Sequence, residues 1–458
     1  MSGAAICQNR DFSDGHTMAC LLRQSGALLA SILAVSVDTG RSKLTGRHCV
    51  MGSRFGFQPD AMVRKGDAMD SSGHPVKPQA DSLATRNRAK ARGMAVVYSC
   101  KAYGNPCSHE SMTQSEMARK LAAIKDYDFA GEFDASCRYD GPLYFVPDNT
   151  LVAIDFAHRL GIHGEQDLFG GVVPFPFVAT KTITHSLFDA DSHAPDGWSP
   201  GFARRVHDAV LPGFSAFALR DARSAGAHLL EQGTVRIKKA SGIGGLGQSV
   251  VNDADELEAW LQSFDAEELS RDGLVVEQNL TNVATHSVGR VRVGELLATY
   301  HGMQRLTVNN HGNEVYGGSD LTVVRGNFDA LLRLGLGQEM RTAIAQARTY
   351  HDAAMASFPG MFASRCNYDV AQGFDDEGRW YSGVLEQSWR IGGATGAEIA
   401  ALDAFRADPA LGVVRASTTE IYGSNPILPA DAVVYFRGID KNVGPITKYS
   451  RLKSYANS

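Results

Sequence analysis

Between Asp253 and Phe264 the apolar residues Leu257, Trp260, Leu261 and Phe264 recur at i, i+3, i+4 and i+7, which predicts an amphipathic helix with one buried stripe. Upstream, Met94–Ser99 has the short apolar form of a buried parallel strand. Thr113 and Glu116 fit a capping box, and Met117, Leu121 and Ile124 continue it as one apolar stripe, so a helix is expected from about residue 113. Leu143–Pro147 reads as the next strand. A helix is expected from Asn149 through Leu151, Ile154 and Ala157, stopped by Gly161. Strand alternating with helix predicts a small parallel α/β layer.

The pattern changes after a Gly- and Pro-rich connection at 170–185. Strands are predicted at Val235–Lys239, at Val250 and Val251, and at Leu274–Leu280. Val288–Val293, Leu296–Tyr300 and Arg305–Val308 alternate with turn residues as an antiparallel set. A long helix is expected over Gln338–Ala356, and Ala432–Arg437 reads as a strand at a sheet edge. The fold class is therefore α/β followed by α+β.

Residues 1–93 differ from the rest. No glutamate precedes Glu110, lysine and arginine outnumber aspartate, and short apolar patches are broken by Gly, Ser, Asp and Pro, so this stretch reads as a disordered basic extension. Its apolar run, Ala27–Val37, falls short of the ~20 residues a membrane span needs. A net charge of −5 over 458 residues argues against a general nucleic-acid binder. The seven cysteines are odd in number and lack zinc or redox spacing, which points to reduced thiols in a cytoplasmic protein.

Two blocks carry candidate chemistry. In the first, Lys238 and Lys239 end a strand and are followed by Gly242, Gly244, Gly245 and Gly247 before the returning strand. Lysine supplies point charges and glycine lets backbone N–H groups approach oxygen closely, a combination suited to a polyphosphate. Adjacent strand residues point to opposite faces, so either lysine is a candidate. In the second block, Asp369 and Glu386 lie on successive strands joined by the turn-rich Phe374–Gly378, a hairpin that would bring the carboxylates together. Two such carboxylates repel unless a divalent cation separates them, and magnesium is the expected ion. Period two also puts Glu386, Ser388 and Arg390 on one face.

Other residues point less directly to a site. Glu277, at a strand end, is either near an adenine edge and ribose or simply exposed. Asp375, Asp376 and Glu377 read as solvated turn residues. Arg290, Arg292 and Arg305 either widen an anionic pocket or lie on the surface, and His185, His286, His301 and His311 lack ligand spacing and are assigned to packing or surface roles.

Taken in order, these blocks resemble the ATP-grasp superfamily over about residues 94–415, in the manner of a bacterial ATP-grasp-like branch rather than of a named ligase. The resemblance implies an N-terminal parallel α/β pre-domain at 94–180, two ATP-gripping subdomains within 181–415, and an edge extension at 416–458. It implies Lys181, Lys238 or Lys239, and the loop glycines Gly244, Gly245 and Gly247 on the phosphates of ATP. Glu277, Gln278 and Leu280 would lie near adenine and ribose. Asp369 and Glu386 would hold Mg2+, with Ser388 standing where the family pattern Glu-x-Asn-x-Arg has an amide. Arg365 and Arg390 would steady a carboxylate and an acyl phosphate. The implied activity is ATP-dependent ligation of a small-molecule or peptide carboxylate, with no nucleic-acid or membrane partner. The alternative is a degenerate scaffold that binds nucleotide or a partner without turnover, and the acceptor and the oligomeric state stay open.

Overall fold

Residues 93–100, 108–240, 242 and 247–456 are described by the computed structural model. The extension expected at 1–93 lies, apart from Gly93, outside the described residues, as do Gly244 and Gly245. Among the described residues no helix is long and apolar enough to cross a membrane.

The first layer is parallel, as its apolar strand predicts. Met94–Tyr98 lies between Asp128–Glu132 and Leu143–Pro147, and both neighbours run parallel to it. The helix covering it spans His109–Lys125 and buries Met117, Leu121 and Ile124. It begins earlier than the capping box at Thr113 predicts, because Ser108 accepts from Ser111 N and caps the helix there. Thr113 instead donates back to His109 O at 2.6 Å, as a threonine inside a helix does. The helix expected from Asn149 is also shorter. Leu151–Val152 pairs in parallel with Gly171–Val173, leaving only Ile154–Arg159 helical.

Next comes a four-stranded antiparallel sheet, ordered Gly213–Ala216, Leu274–Gln278, Val235–Lys239 and Gln248–Val251. The predicted stripe Leu257, Leu261 and Phe264 packs with Ala222, Ala225 and Leu229 of a second helix and with Val235, Ile237 and Val276 of the sheet. Burial of the Leu, Val, Ile and Phe side chains in this cluster, each contributing about 1.5–3 kcal/mol, stabilises the sheet that presents the lysines.

An eight-stranded antiparallel sheet completes the fold. Its order is Trp380–Ser388, Arg365–Phe374, Thr281–Val293, Leu296–Val308, Glu314–Arg325, Val413–Tyr422, Gly444–Ala456 and Val433–Asp440. Alternation divides its two faces. Val288, Cys366, Tyr368 and Val370 pack with Ile344, Ala347 and Tyr350 of the helix Gln338–Ser357. Tyr300, Leu321, Val323 and Ala416 pack with Ala397, Leu402 and Phe405 of the helix Thr395–Ala407. The strand expected at 432–437 is the edge strand Val433–Asp440, and two further strands of the C-terminal region lie between it and the rest of the sheet. A parallel α/β layer followed by antiparallel α+β sheets is the fold class the sequence predicts.

Candidate functional site

Asp369 and Glu386 are direct partners across the hairpin, so both side chains project from one face. Asp369 Oδ1 accepts from Asn367 Nδ2 at 2.9 Å, Gln304 Nε2 at 3.0 Å and Ser287 Oγ at 3.2 Å. Burial, followed by the Glu386 charge, pushes the Asp369 carboxyl up to about 6 against the pull of those three donors. Two carboxylates so placed form an acidic pair that a cation would relieve.

Lys181 supplies a cation from far away in sequence. Its Nζ lies 2.6 Å from Glu386 Oε2 and also donates to Gly242 O at 2.7 Å. The lysine starts the short 3-10 turn Lys181–Ile183, which Thr180 caps through its side chain. Gly242 and the acidic strand are thereby joined through one ammonium.

The two adjacent lysines diverge as period two requires. Lys238 turns inward and pairs with Glu277 Oε1, both side chains almost fully buried. Glu277 Oε2 lies 3.2 Å from His185 Nε2. Burial alone would raise the Glu277 carboxyl, but Lys238 and then His185 outweigh it and hold the group at about 2. Glu277 is only 1% exposed, so the reading of it as a solvated strand end is corrected. Lys239 turns the other way, with its Nζ 4.4 Å from the Phe264 ring centroid and 3.8 Å from Glu268.

At the end of the Leu274–Gln278 strand, Gln278 donates to Asp375 at 3.4 Å, and Leu280 packs with Leu211 and Ala371, the latter two residues beyond Asp369. Asp375 is buried and accepts from Arg379, while Asp376 accepts from Thr234 N at 2.6 Å. These two aspartates are therefore not simply solvated turn residues. They clasp the hairpin turn of the large sheet onto the small one.

Arg365 is 1% exposed and lies on Glu398, itself fully buried, with Nη2 2.7 Å from Oε1. Its Nη1 donates to Arg390 O at 2.7 Å and lies 3.4 Å from Ser388 Oγ. The structure thus places Arg365 beneath the strand end at Ser388; Arg390 lies beyond that strand, so the period-two expectation that put it on one face with Glu386 and Ser388 is corrected. Arg390 donates to Ile391 O at 3.0 Å. Burial, then Arg365, lowers its pKa, opposed by Glu386, Glu110 and Asp148. Arg290 and Arg292 share Glu165, and Arg305 pairs with Asp320, so each of these arginines already has a carboxylate partner. His185 and His286 are buried, which fits the packing role expected of them.

The donor set near Glu386 consists of hard oxygens, from Asp369, Glu386 and Ser388. It fits magnesium, which uses one or two carboxylates together with substrate phosphates rather than a closed protein cage. Among the described residues no group of three or more His, Cys, Asp or Glu could hold an ion by itself. Sequence reasoning missed Asn367 and Glu398. Asn367 was legible, since it stands two residues before Asp369 and so on the same face. Glu398 gave a weaker signal, a carboxylate between Ala397 and Ile399 in an apolar helix, where a charge needs a buried partner.

The small antiparallel sheet that carries the lysine strand thus stands beside the paired carboxylates of the large antiparallel sheet, with Lys181 on Glu386. The chain belongs to the family described as protein of unknown function (DUF3182), matched over residues 97–450. No curated protein matches it in sequence. Among solved structures it is similar to N5-carboxyaminoimidazole synthetase from Staphylococcus aureus complexed with ADP, at 11% identity and TM-score 0.43, covering 80% of this chain and 95% of that one. It is also similar to phosphoribosylamine–glycine ligase from Thermotoga maritima, at 12% identity and TM-score 0.41, covering 80% and 93%. Biotin carboxylase from Campylobacter jejuni, in a β-γ-ATP complex, gives 11% identity and TM-score 0.41, covering 79% and 87%.

Proposed function

We propose that this protein binds ATP with magnesium and ligates a small-molecule or peptide carboxylate to a nucleophile through an acyl phosphate. The observation that carries the reading is Lys181, whose ammonium touches both Gly242 O of the glycine loop and Glu386 Oε2 of the acidic strand. A cation held between Gly242 and a carboxylate pair is placed for a polyphosphate whose metal the carboxylates share.

In this reading the loop N–H groups and Lys181 receive the phosphates, and Lys238 lies beside them on the inner face of the small sheet. Glu277, Gln278 and Leu280 line the adenine and ribose end. Asp369 and Glu386, with Ser388 alongside, would hold magnesium, which when bound neutralises charge on the phosphate oxygens. A substrate carboxylate oxygen attacks the γ-phosphorus, the bond from that phosphorus to the β–γ bridging oxygen breaks, and ADP departs with the electron pair. The nucleophile then attacks the acyl carbon and expels inorganic phosphate. Arg390 steadies the anionic acyl phosphate, and Arg365 acts through Arg390 by fixing its backbone carbonyl.

Calorimetric titration of ADP with Mg2+ into the wild-type protein and Glu386→Ala tests the site. Weaker binding in the variant is expected, and equal affinity would remove the assignment. Ser388, at the position the ATP-grasp pattern gives to an amide, favours a second reading in which nucleotide binds without turnover. ADP release measured across a panel of carboxylates and amines separates the two, since turnover eliminates the binding-only reading.

A further inference from the structure

The amide that the family pattern places at position 388 stands on the neighbouring strand. Asn367 is the direct cross-strand partner of Ser388, is only 8% exposed, and lies on the same face as Asp369 and Glu386. Its Nδ2 is 2.9 Å from Asp369 Oδ1, and its Oδ1 is 2.9 Å from the Tyr300 hydroxyl.

Counting protons shows that this amide can turn. The Tyr300 hydroxyl has one proton and two acceptors in reach, Asn367 Oδ1 and, at 2.7 Å, Glu398 Oε1. Glu398 is the buried ion-pair partner of Arg365, and a hydrogen bond to a charged carboxylate is roughly twice as strong as one to a neutral amide. The proton therefore goes to Glu398, and Asn367 Oδ1 faces the lone pairs of Tyr300. A half-turn of the amide removes the conflict. Nδ2 then donates to Tyr300, and Oδ1 swings onto Asp369, where two oxygens meet beside Glu386. Two oxygens in that position need a cation between them.

We infer that Asn367 is a metal-ligand residue, supplying from the Asp369 strand the amide oxygen that Ser388 does not provide. The inference rests on the magnesium–nucleotide reading of this site. With Nδ2 toward it Asn367 donates to Asp369, and with Oδ1 toward it the two oxygens share a cation, so the carboxylate has a partner in either orientation of the amide. Tyr300, Glu398 and Arg365 position the amide from beneath.

The test is Mn2+ binding in the presence of ADP, followed by electron paramagnetic resonance on the full chain. Asn367→Leu is expected to weaken Mn2+ by about tenfold or more, and Asn367→Asp, which keeps an oxygen, by no more than about threefold. Ser388→Ala is expected to lose less than Asn367→Leu. ADP affinity without metal should be equal in wild type and Asn367→Leu, whereas a merely structural role at Tyr300 would lower it. Wild-type Mn2+ binding in Asn367→Leu, or a larger loss in Ser388→Ala, overturns the inference. Should Asn367→Leu fail to fold, Asn367→Asp decides: retained Mn2+ binding supports the assignment, and a tenfold loss refutes it. Glu386→Ala distinguishes the two levels. If it binds Mn2+ and ADP as wild type does, the whole site reading falls; if it alone loses the metal, only the role of Asn367 falls.

Discussion

The guanidinium of Arg365 sits on the carboxylate of Glu398 at 2.7 Å, with side-chain exposures of 2% and 0%. Two opposite charges removed from water in this way stabilise the fold only while both are present, because either one alone is buried without compensation. Arg365→Met is therefore expected to cost about 3–5 kcal/mol. Adding Glu398→Leu should return much of that loss. Urea denaturation of the two variants measures both effects, and a double variant less stable than Arg365→Met would show that the pair is not the source.

Lys181 makes its two contacts with Gly242 O and Glu386 Oε2 from a turn distant in sequence from both. Lys181→Met removes the charge but keeps most of the aliphatic stem. Nucleotide affinity in the presence of Mg2+ should fall about tenfold, or about 1.4 kcal/mol, with little change in melting temperature. Calorimetry checks this. Affinity equal to wild type would detach the lysine from the phosphates.

Asp376 accepts from Thr234 N at 2.6 Å and Thr234 Oγ1 at 3.3 Å, joining the hairpin turn of the large sheet to the start of the lysine strand. Asp376→Ala leaves the Thr234 amide to water, and because the pair is exposed the loss is expected to be small, about 0.5–1.5 kcal/mol. Hydrogen exchange at the Thr234 amide should quicken in the variant, while exchange at Val235 and Ile237, within the sheet, should change little.

Burial, followed by Arg290, lowers the His351 pKa to about 4, and burial, followed by His286 and Arg415, does the same at His301. The ordinary value is 6.5. Between pH 6.5 and 4 the unfolded chain thus binds protons that the folded chain does not, so stability rises with pH across that window and is lost on acidification. Urea midpoints at several pH values should show the trend, and His351→Phe should flatten it. Asp369, held up at about 6, contributes in the opposite sense between about pH 6 and 4, so the His351 contribution is read as the difference in slope between wild type and His351→Phe, and equal slopes would contradict that shift.

Local periodicity determined much of the fold. The helical stripe from Leu257 to Phe264 closes against the small sheet, and the hairpin from Arg365 to Ser388 pairs Asp369 with Glu386. Both are short-range consequences of side-chain direction, 3.6 residues per turn in a helix and two per repeat in a strand. Helix starts were less legible, since Ser108 and Thr113 are both capping residues by type and only the hydrogen bond to Ser111 N separates them.

Tertiary structure decided what the charges do. Alternation establishes that Lys238 and Lys239 point oppositely, but only the packing of Glu277 and His185 on one side and of Phe264 and Glu268 on the other tells which partners each meets. The family resemblance implies that Arg365 steadies a substrate carboxylate, yet its guanidinium is committed to Glu398 beneath the strand. Lys181 reaches Glu386 from a turn far away in sequence. Charge pairing and burial depend on residues brought together by the whole fold, so they carry no local signature, whereas hydrophobic period and turn chemistry are written within a few residues of the structure they produce.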